Sequence, residues 1–138
     1  MNKSLFLPVT FFGAAWMAAS TSFAQFEATA TPVDKLTVAK GFKVELLYTV
    51  PKAEQGSWVN LCVDGKGRII ASDQFGGLYR FPAPSAGQSL QAKDIEKVPA
   101  KIRAANGLLW AFDALYVGVN DYERKIESGL YRVTDSDG

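Results

Sequence analysis

Two aspartates close to residue 138 form the group whose spacing most suggests chemistry. Asp135 and Asp137, followed by Gly138, look like the opening of a calcium loop, in which carboxylates two residues apart converge on one hard cation. Two carboxylates are too few, because a calcium site takes about six to eight oxygens. Two interpretations stay open: part of a metal site completed by residues beyond Gly138, or an Asp/Ser/Gly turn between structural units, which these residues alone favour.

The sequence offers little for nucleophilic or redox catalysis. It has no histidine and one cysteine, Cys62. This composition excludes Ser/His and Cys/His pairs, histidine ligands of zinc or haem, and a Cys-x-x-Cys-His haem attachment site. Cys62 has no intrachain disulfide partner, and its neighbours Leu61 and Val63 favour a buried, inert thiol. We therefore assign no catalytic and no cofactor-binding residue within this chain.

A repeated phrase indicates the architecture around these residues. Gly-Leu-Tyr-Arg occurs at residues 77–80 and again at 129–132, 52 residues apart. Further pairs recur 48 residues apart: Val50 and Val98, Leu61 and Leu109, Ile69 and Val117, Asp73 and Asp121. The difference predicts a single four-residue insertion, in the loop at residues 121–128. Units of about 40 to 50 residues built from four short antiparallel strands are typical of β-propeller blades.

Alternating apolar residues and turn residues predict an all-β fold: a partial β-propeller of about two four-stranded antiparallel blades plus one N-terminal outer strand. The outer strand is residues 42–50, which would help to close a ring with strands from the C-terminal part. The remaining predicted strands are residues 58–63, 68–73, 78–81 and 95–98 in a blade spanning 56–99, and residues 108–112, 115–120 and 129–133 in an incomplete blade spanning 106–138.

Turn residues predict how these strands connect. Asp64-Gly65-Lys66-Gly67 tolerates positive φ and predicts a tight hairpin, and Asp113-Ala114 predicts a second turn. The loop at residues 121–128 is either a binding loop, since insertions in repeat proteins collect on one face, or a solvated hairpin loop, which is the default.

Recurrence in both units argues that several polar and aromatic residues serve the fold, because a catalytic role would single out one unit. Asp73 and Asp121 are predicted to accept backbone N–H bonds and hold a loop. Side chains from the repeated phrase are predicted to pack between blades and to hydrogen-bond across them, and two tryptophans to lie in the core. These residues are Tyr79, Tyr131, Arg80, Arg132, Trp58 and Trp110.

The N-terminal residues predict export. Lys3, an apolar stretch at residues 5–19 and the small-residue site Ser22-Phe23-Ala24 are typical of a signal peptide spanning residues 1–24, followed by a flexible leader at residues 25–33. Retention as a membrane anchor is the alternative, but the stretch is shorter than the roughly 20 apolar residues that span a bilayer. We therefore predict a periplasmic or extracellular location without a stable membrane span.

Charge gives no case for nucleic acid as a partner. Without residues 1–24 the chain has 14 basic and 14 acidic side chains, so its surface is balanced. The local basic cluster is more simply a solvated face; it consists of Lys93, Lys97, Lys101 and Arg103.

Three segments carry a family resemblance that covers residues 34–138. Residues 56–61, 72–80 and 106–112 resemble the start of secreted propeller proteins of planctomycete and verrucomicrobial bacteria. Those proteins are described as membrane-bound dehydrogenases related to the glucose/sorbosone dehydrogenase propellers, and they often carry a C-terminal c-type haem domain. The resemblance implies a redox parent that uses pyrroloquinoline quinone (PQQ), with histidine and arginine around the quinone.

The resemblance also implies what this chain lacks. No histidine can be carried over, whereas Asp135 and Asp137 resemble a family segment that continues with more acidic residues, which implies a divalent-ion site such as calcium in the intact protein. About two blades are present, and propellers need about four to eight, so we expect an N-terminal portion that is inactive by itself. Its expected partners are the remaining blades beyond Gly138 and a carbohydrate substrate. The alternatives are a non-catalytic propeller that binds carbohydrate or protein at its loop face, and a truncated product without a function of its own.

Overall fold

In the computed structural model, which describes residues 30–134, the two repeated units fold as two antiparallel β-sheets with little helix. The first sheet has four strands in the order β1-β2-β3-β4, and the second has three in the order β5-β6-β7. The strands are β1 Trp58–Val63, β2 Arg68–Asp73, β3 Leu78–Pro82, β4 Glu96–Lys97, β5 Ala105–Ala111, β6 Ala114–Val119 and β7 Gly129–Val133. One α-helical turn, α1, covers Lys52–Gln55, and short 3₁₀ turns cover Val33–Lys35 and Ala92–Asp94.

Most of the predicted strand positions are confirmed. They depend on the alternation of apolar and polar side chains and on turn residues, which are local properties of the sequence. β1, β2 and β7 have the predicted bounds, and residues 64–67 make the predicted hairpin, with Gly67 at a φ of 75°. The second turn is wrong by one residue. Phe112 and Asp113 form it, with φ values of 51° and 54°, so that Phe112 lies outside the strand to which it was assigned. A two-residue hairpin needs positive φ at both central positions, which explains the shift.

The predicted outer strand at residues 42–50 is wrong. No β-ladder includes these residues, although Leu47 accepts one backbone hydrogen bond from Leu90, with an N–O distance of 2.8 Å. The segment is held by side chains instead: the Tyr48 ring stacks on Trp58 at 5.8 Å between centroids. Period-two alternation therefore indicates an extended chain here, but within residues 30–134 no strand pairs with it to complete a sheet.

Several predicted boundaries fall on residues outside the described range. The signal peptide at residues 1–24, residues 25–29 of the leader, and the candidate metal ligands Asp135 and Asp137 all lie there. Within the described part of the leader, Val33 begins a 3₁₀ turn rather than an irregular segment.

The two sheets stack with equivalent faces pointing the same way. Leu78 of the repeated phrase is fully buried in the core between the sheets, whereas its counterpart Leu130 is 75% exposed on the far side of the second sheet. The tyrosines show the reverse arrangement. Tyr131 packs against the core between the sheets, and Tyr79 lies in a separate cluster on the far side of the first sheet. The front of one sheet therefore packs on the back of the next.

The ladders correct the predicted equivalence of the two units. In the first sheet Ala71 pairs with Leu61 and Tyr79, and in the second Val117 pairs with Leu108 and Tyr131. Leu61 therefore corresponds to Leu108 rather than Leu109, and Val117 corresponds to Ala71 rather than Ile69. The cause is that both hairpins change length. The loop between the first two strands shortens from four residues to two, and the next loop lengthens from four to nine, so the single four-residue insertion is wrong.

Gly56 provides a test of how tightly the start of the first sheet is packed. Its φ is 70°, and a methyl group on it would lie 2.2 Å from the Asp73 carboxylate, whereas Gly67 has a φ of 75° and open space around it. We expect Gly67→Ala to lower the free energy of unfolding by about 1 kcal/mol through backbone strain alone. Gly56→Ala should cost at least about 2 kcal/mol more, because the carboxylate must move. Urea unfolding of both variants measures the difference, and equal losses would show that Asp73 is not held against Gly56.

Candidate binding site at the loop end

The nine-residue connection between β6 and β7 is organised around one buried carboxylate. Asp121 Oδ2 accepts backbone N–H bonds from Lys125 and Ile126, at 3.0 and 3.1 Å, and its Oδ1 accepts one from Glu123 at 3.2 Å. The Asp121 backbone N–H in turn donates to Ser128 Oγ at 3.0 Å. A loop whose backbone donors converge on one carboxylate has a defined shape. The predicted loop-holding role of Asp121 is confirmed.

Asp73 does the same for the shorter loop between β2 and β3. Its Oδ1 accepts backbone N–H bonds from Ser57 at 3.0 Å and from Phe75 at 3.3 Å. The carboxylate is buried, and Gly76 packs closely against it. The predicted role of Asp73 is therefore also confirmed, and both loops at this end of the sheets are held by aspartates.

Arg103 joins the two loops. Its Nε and Nη2 donate to the Phe75 carbonyl oxygen at 3.1 and 2.8 Å, and its Nη1 lies 3.3 Å from Asp121 Oδ2. Nη2 also donates to Glu123 Oε2 at 2.6 Å. The Arg103 side chain is only 18% exposed, so its assignment to a solvated basic face is wrong. Because its partners lie 18 to 28 residues away, no local pattern in the sequence signals this role.

An aromatic pair lies exposed above this linkage. The rings of Phe75 and Tyr122 meet edge to face with centroids 5.8 Å apart, and the two residues are 44% and 70% exposed. Glu123 lies beside them, and its pKa is lowered by hydrogen bonds from Arg103 and then Lys125. We call these five residues, Phe75, Arg103, Tyr122, Glu123 and Lys125, the loop-end cluster. It combines exposed ring surface with a carboxylate that stays ionised.

The remaining predicted residues lie in different environments, and Arg132, which was predicted to pack between units, is exposed instead. Arg80 pairs with Glu96 of its own sheet, at 2.8 Å between Nη2 and Oε1. The Tyr79 hydroxyl donates to the carbonyl of Glu54, in the helical turn before the first unit, and the Tyr131 hydroxyl donates to the carbonyl of Glu127. The prediction that polar tips bond between units is therefore wrong for the two tyrosine hydroxyls, whose acceptors lie just before the first unit and within the second.

The apolar predictions hold better. Trp58 stacks in the cluster on the far side of the first sheet, and Trp110 packs against the core between the sheets. Cys62 is half-buried rather than buried as predicted, and burial, followed by the charge of Asp64, raises the pKa of its thiol. A raised pKa lowers the thiolate fraction, in agreement with an inert cysteine.

A cleft of about 350 Å³ between the sheets at the opposite end is a weaker candidate. Its charged lining residues are already paired, because Arg80 binds Glu96 and Arg68 Nε binds Asp64 Oδ2 at 2.7 Å. Burial favours the neutral form of Asp64, but hydrogen bonds from the backbone and side chain of Arg68 and from the backbone of Lys66 outweigh it and lower the pKa of Asp64. One ion pair stabilises the hairpin between β1 and β2, and the other links β3 to β4, so both serve the fold.

The comparisons with known proteins add no family. No protein-family model, curated protein or solved structure matches this chain. Within residues 30–134, no three His, Cys, Asp or Glu side chains are grouped so that they would hold a metal ion. The same part of the chain contains no helix with the length and apolar character needed to cross a membrane.

Proposed function

We propose that residues 56–134 are two successive blades of a β-propeller and that the loop-end cluster binds carbohydrate. The observation that carries the proposal is the pair of aspartate-held loops, one from each sheet, that Arg103 joins beneath an exposed aromatic pair. Binding sites are commonly built on loops that a rigid scaffold positions. This chain would supply both the scaffold and the loops.

The stacking of the sheets supports the blade assignment. Successive propeller blades are related by rotation, so the front of each blade packs on the back of its neighbour. The same order appears here: the Leu78 face of the first sheet packs against the Tyr131 face of the second. A two-fold sandwich of related units would instead bring identical faces together, with both leucines inside.

The chemistry of the cluster favours a sugar over other ligand classes. Each ring of an edge-to-face pair keeps surface available for the apolar C–H face of a pyranose, while carboxylate and hydroxyl oxygens accept hydrogen bonds from sugar hydroxyls. Glu123 Oε2 already accepts from Arg103 and lies 3.0 Å from Lys125 Nζ, which orients it without covering it. A balanced overall charge argues against polyanionic ligands.

Titration with sugars tests the proposal. We expect a panel of mono- and disaccharides to shift the backbone amide resonances of residues 74–77 and 121–126, and Tyr122→Ala to weaken this binding at least about tenfold through loss of exposed ring surface. Tyr116→Phe is the matched control, since it alters a tyrosine outside the cluster. Shifts that map elsewhere, or binding that survives Tyr122→Ala, would overturn the carbohydrate proposal.

Redox activity is a second proposal and concerns a longer protein. Its support is the resemblance of residues 56–61, 72–80 and 106–112 to sugar dehydrogenase propellers. The described residues do not fit the quinone surroundings that the resemblance implies, because they include no histidine and because Arg103 is already engaged by Phe75, Asp121 and Glu123. We therefore derive no step through PQQ, calcium or haem. Quinone-dependent dye reduction by a protein extended past Gly138 is the test, and no reduction after reconstitution with quinone and calcium would count against it.

A further inference from the structure

The outer edge of β7 differs from the matching edge in the first sheet. There β3 is paired with β4, whereas no strand within residues 30–134 pairs with the outer side of β7. The two strand pairs can be compared directly, because β6 and β7 pair in the same register as β2 and β3. Arg132 lies opposite Tyr116, and its counterpart Arg80 lies opposite Ile70. Leu130 lies opposite Gly118, and its counterpart Leu78 lies opposite Ser72. Each side chain of β7 can therefore be compared with a covered counterpart.

The first sheet shows what covers such an edge. Arg80 Nη2 contacts both Glu96 carboxylate oxygens, at 2.8 and 2.9 Å, and Arg80 Nε contacts Oε2 at 3.1 Å. Two residues further along, the Val98 backbone N–H donates to the Leu78 carbonyl at 2.9 Å, and the Val98 side chain packs on the core beside Leu78. The segment Glu96-Lys97-Val98 thus matches an arginine with an acid and a leucine with a β-branched residue.

Among residues 30–134, the equivalent arginine on β7 lacks an acidic partner and the equivalent leucine lacks an apolar cover. Arg132 is exposed and has no ion pair with any residue in the described range, and Leu130 is the exposed counterpart of the buried Leu78. Both lie on one face of the strand, because residues two apart share a face. An unpaired strand edge also presents backbone N–H and C=O groups to a partner.

We propose that the edge of β7 binds an extended antiparallel segment that places a carboxylate opposite Arg132 and, two residues later, a β-branched apolar side chain opposite Leu130. Backbone hydrogen bonds would supply affinity, and the Arg132 ion pair would set the register. The inference rests on the two-blade part of the proposed function, since it treats β7 as the third strand of a four-stranded unit. It does not depend on sugar binding.

The protein's own covering strand supplies the probe. A synthetic peptide with the sequence of residues 92–99, Ala-Lys-Asp-Ile-Glu-Lys-Val-Pro, titrated into the isotope-labelled chain should shift the amides of residues 129–133. A peptide with lysine in place of the glutamate should bind about three- to tenfold more weakly. Arg132→Glu should lose affinity for the first peptide and regain it for the lysine peptide. Because Arg132 is exposed, this variant should keep its fold, which unshifted amides in β1 and β5 would verify.

The outcomes separate this proposal from the others. Recovery of affinity on swapping both charges supports it. Shifts confined to residues 78–82 would mean that the peptide replaces β4 instead, and affinity indifferent to the charge swap, or no shift at millimolar peptide, would also overturn it. A failure here would leave the sugar-induced shifts at residues 74–77 and 121–126 unaffected, so the two proposals fail independently.

Discussion

Replacing Leu78 with alanine should lower the free energy of unfolding by about 3 kcal/mol, whereas the same change at Leu130 should alter it by less than about 0.5 kcal/mol. Both leucines occupy the second position of the repeated phrase Gly-Leu-Tyr-Arg. Leu78 is fully buried between the sheets and Leu130 is 75% exposed. Truncating Leu78 leaves a cavity in the core between the sheets, whereas truncating Leu130 removes a side chain that is already mostly in contact with solvent.

Urea denaturation followed by tryptophan fluorescence measures both effects, since Trp110 packs against the same core as Leu78. The pair is a direct test of back-to-front stacking, because each substitution serves as the control for the other. Similar losses of unfolding free energy at both positions would mean that the Leu130 face is covered as well. A larger loss at Leu130 would mean that the Leu130 face, and not the Leu78 face, packs in the core.

Replacing Asp121 with alanine should lower the free energy of unfolding by about 3 kcal/mol and disorganise the loop at the same time. The buried carboxylate accepts three backbone N–H bonds and contacts Arg103. A hydrogen bond to a charged group contributes about 1.5 to 3 kcal/mol net, and water can solvate part of the freed loop backbone, so the total loss stays below the sum of the separate bonds. The substitution also leaves the guanidinium of Arg103 without one of its two acidic partners. Asp121→Asn should recover part of the loss, because an amide oxygen can still accept.

The matched control is Glu127→Ala, which removes one carboxylate from the same loop at an exposed position. Only its backbone carbonyl is used, as the acceptor for the Tyr131 hydroxyl, so stability should stay within about 0.5 kcal/mol of the parent. Hydrogen exchange at the amides of Glu123, Lys125 and Ile126 gives a second measurement. Protection that persists in Asp121→Ala would show that the carboxylate does not organise this loop.

The two predictions bear on different parts of the proposed function. The Leu78 and Leu130 pair tests whether the sheets repeat by rotation, which the propeller proposal requires. The Asp121 substitution tests whether the loop-end cluster is preorganised. If Asp121→Ala abolished sugar binding while Phe75 and Tyr122 remained, the ligand would depend on loop shape as well as on ring surface.

The local structure of this protein follows from interactions between residues that are neighbours along the chain. Strands such as Trp58–Val63 and the turn at residues 64–67 follow from side-chain alternation and from residues that accept positive φ, which are properties of neighbours in the chain. The recurrence of Asp73 and Asp121 likewise indicated loop-holding carboxylates. The segment at residues 42–50 shows the limit, because alternation cannot show whether a strand edge lies alongside.

The relation between the two units depends instead on contacts between distant residues. A constant spacing of the repeat makes Leu109 the counterpart of Leu61, but the hairpins differ in length, so the structural counterpart is Leu108. This difference matters because a shift of one residue places a side chain on the opposite face of its sheet. Tertiary contacts also decide the role of Arg103, which reaches Phe75 and Asp121 across two loops. Contacts between distant residues depend on how whole sheets stack, and no spacing along the chain records that arrangement.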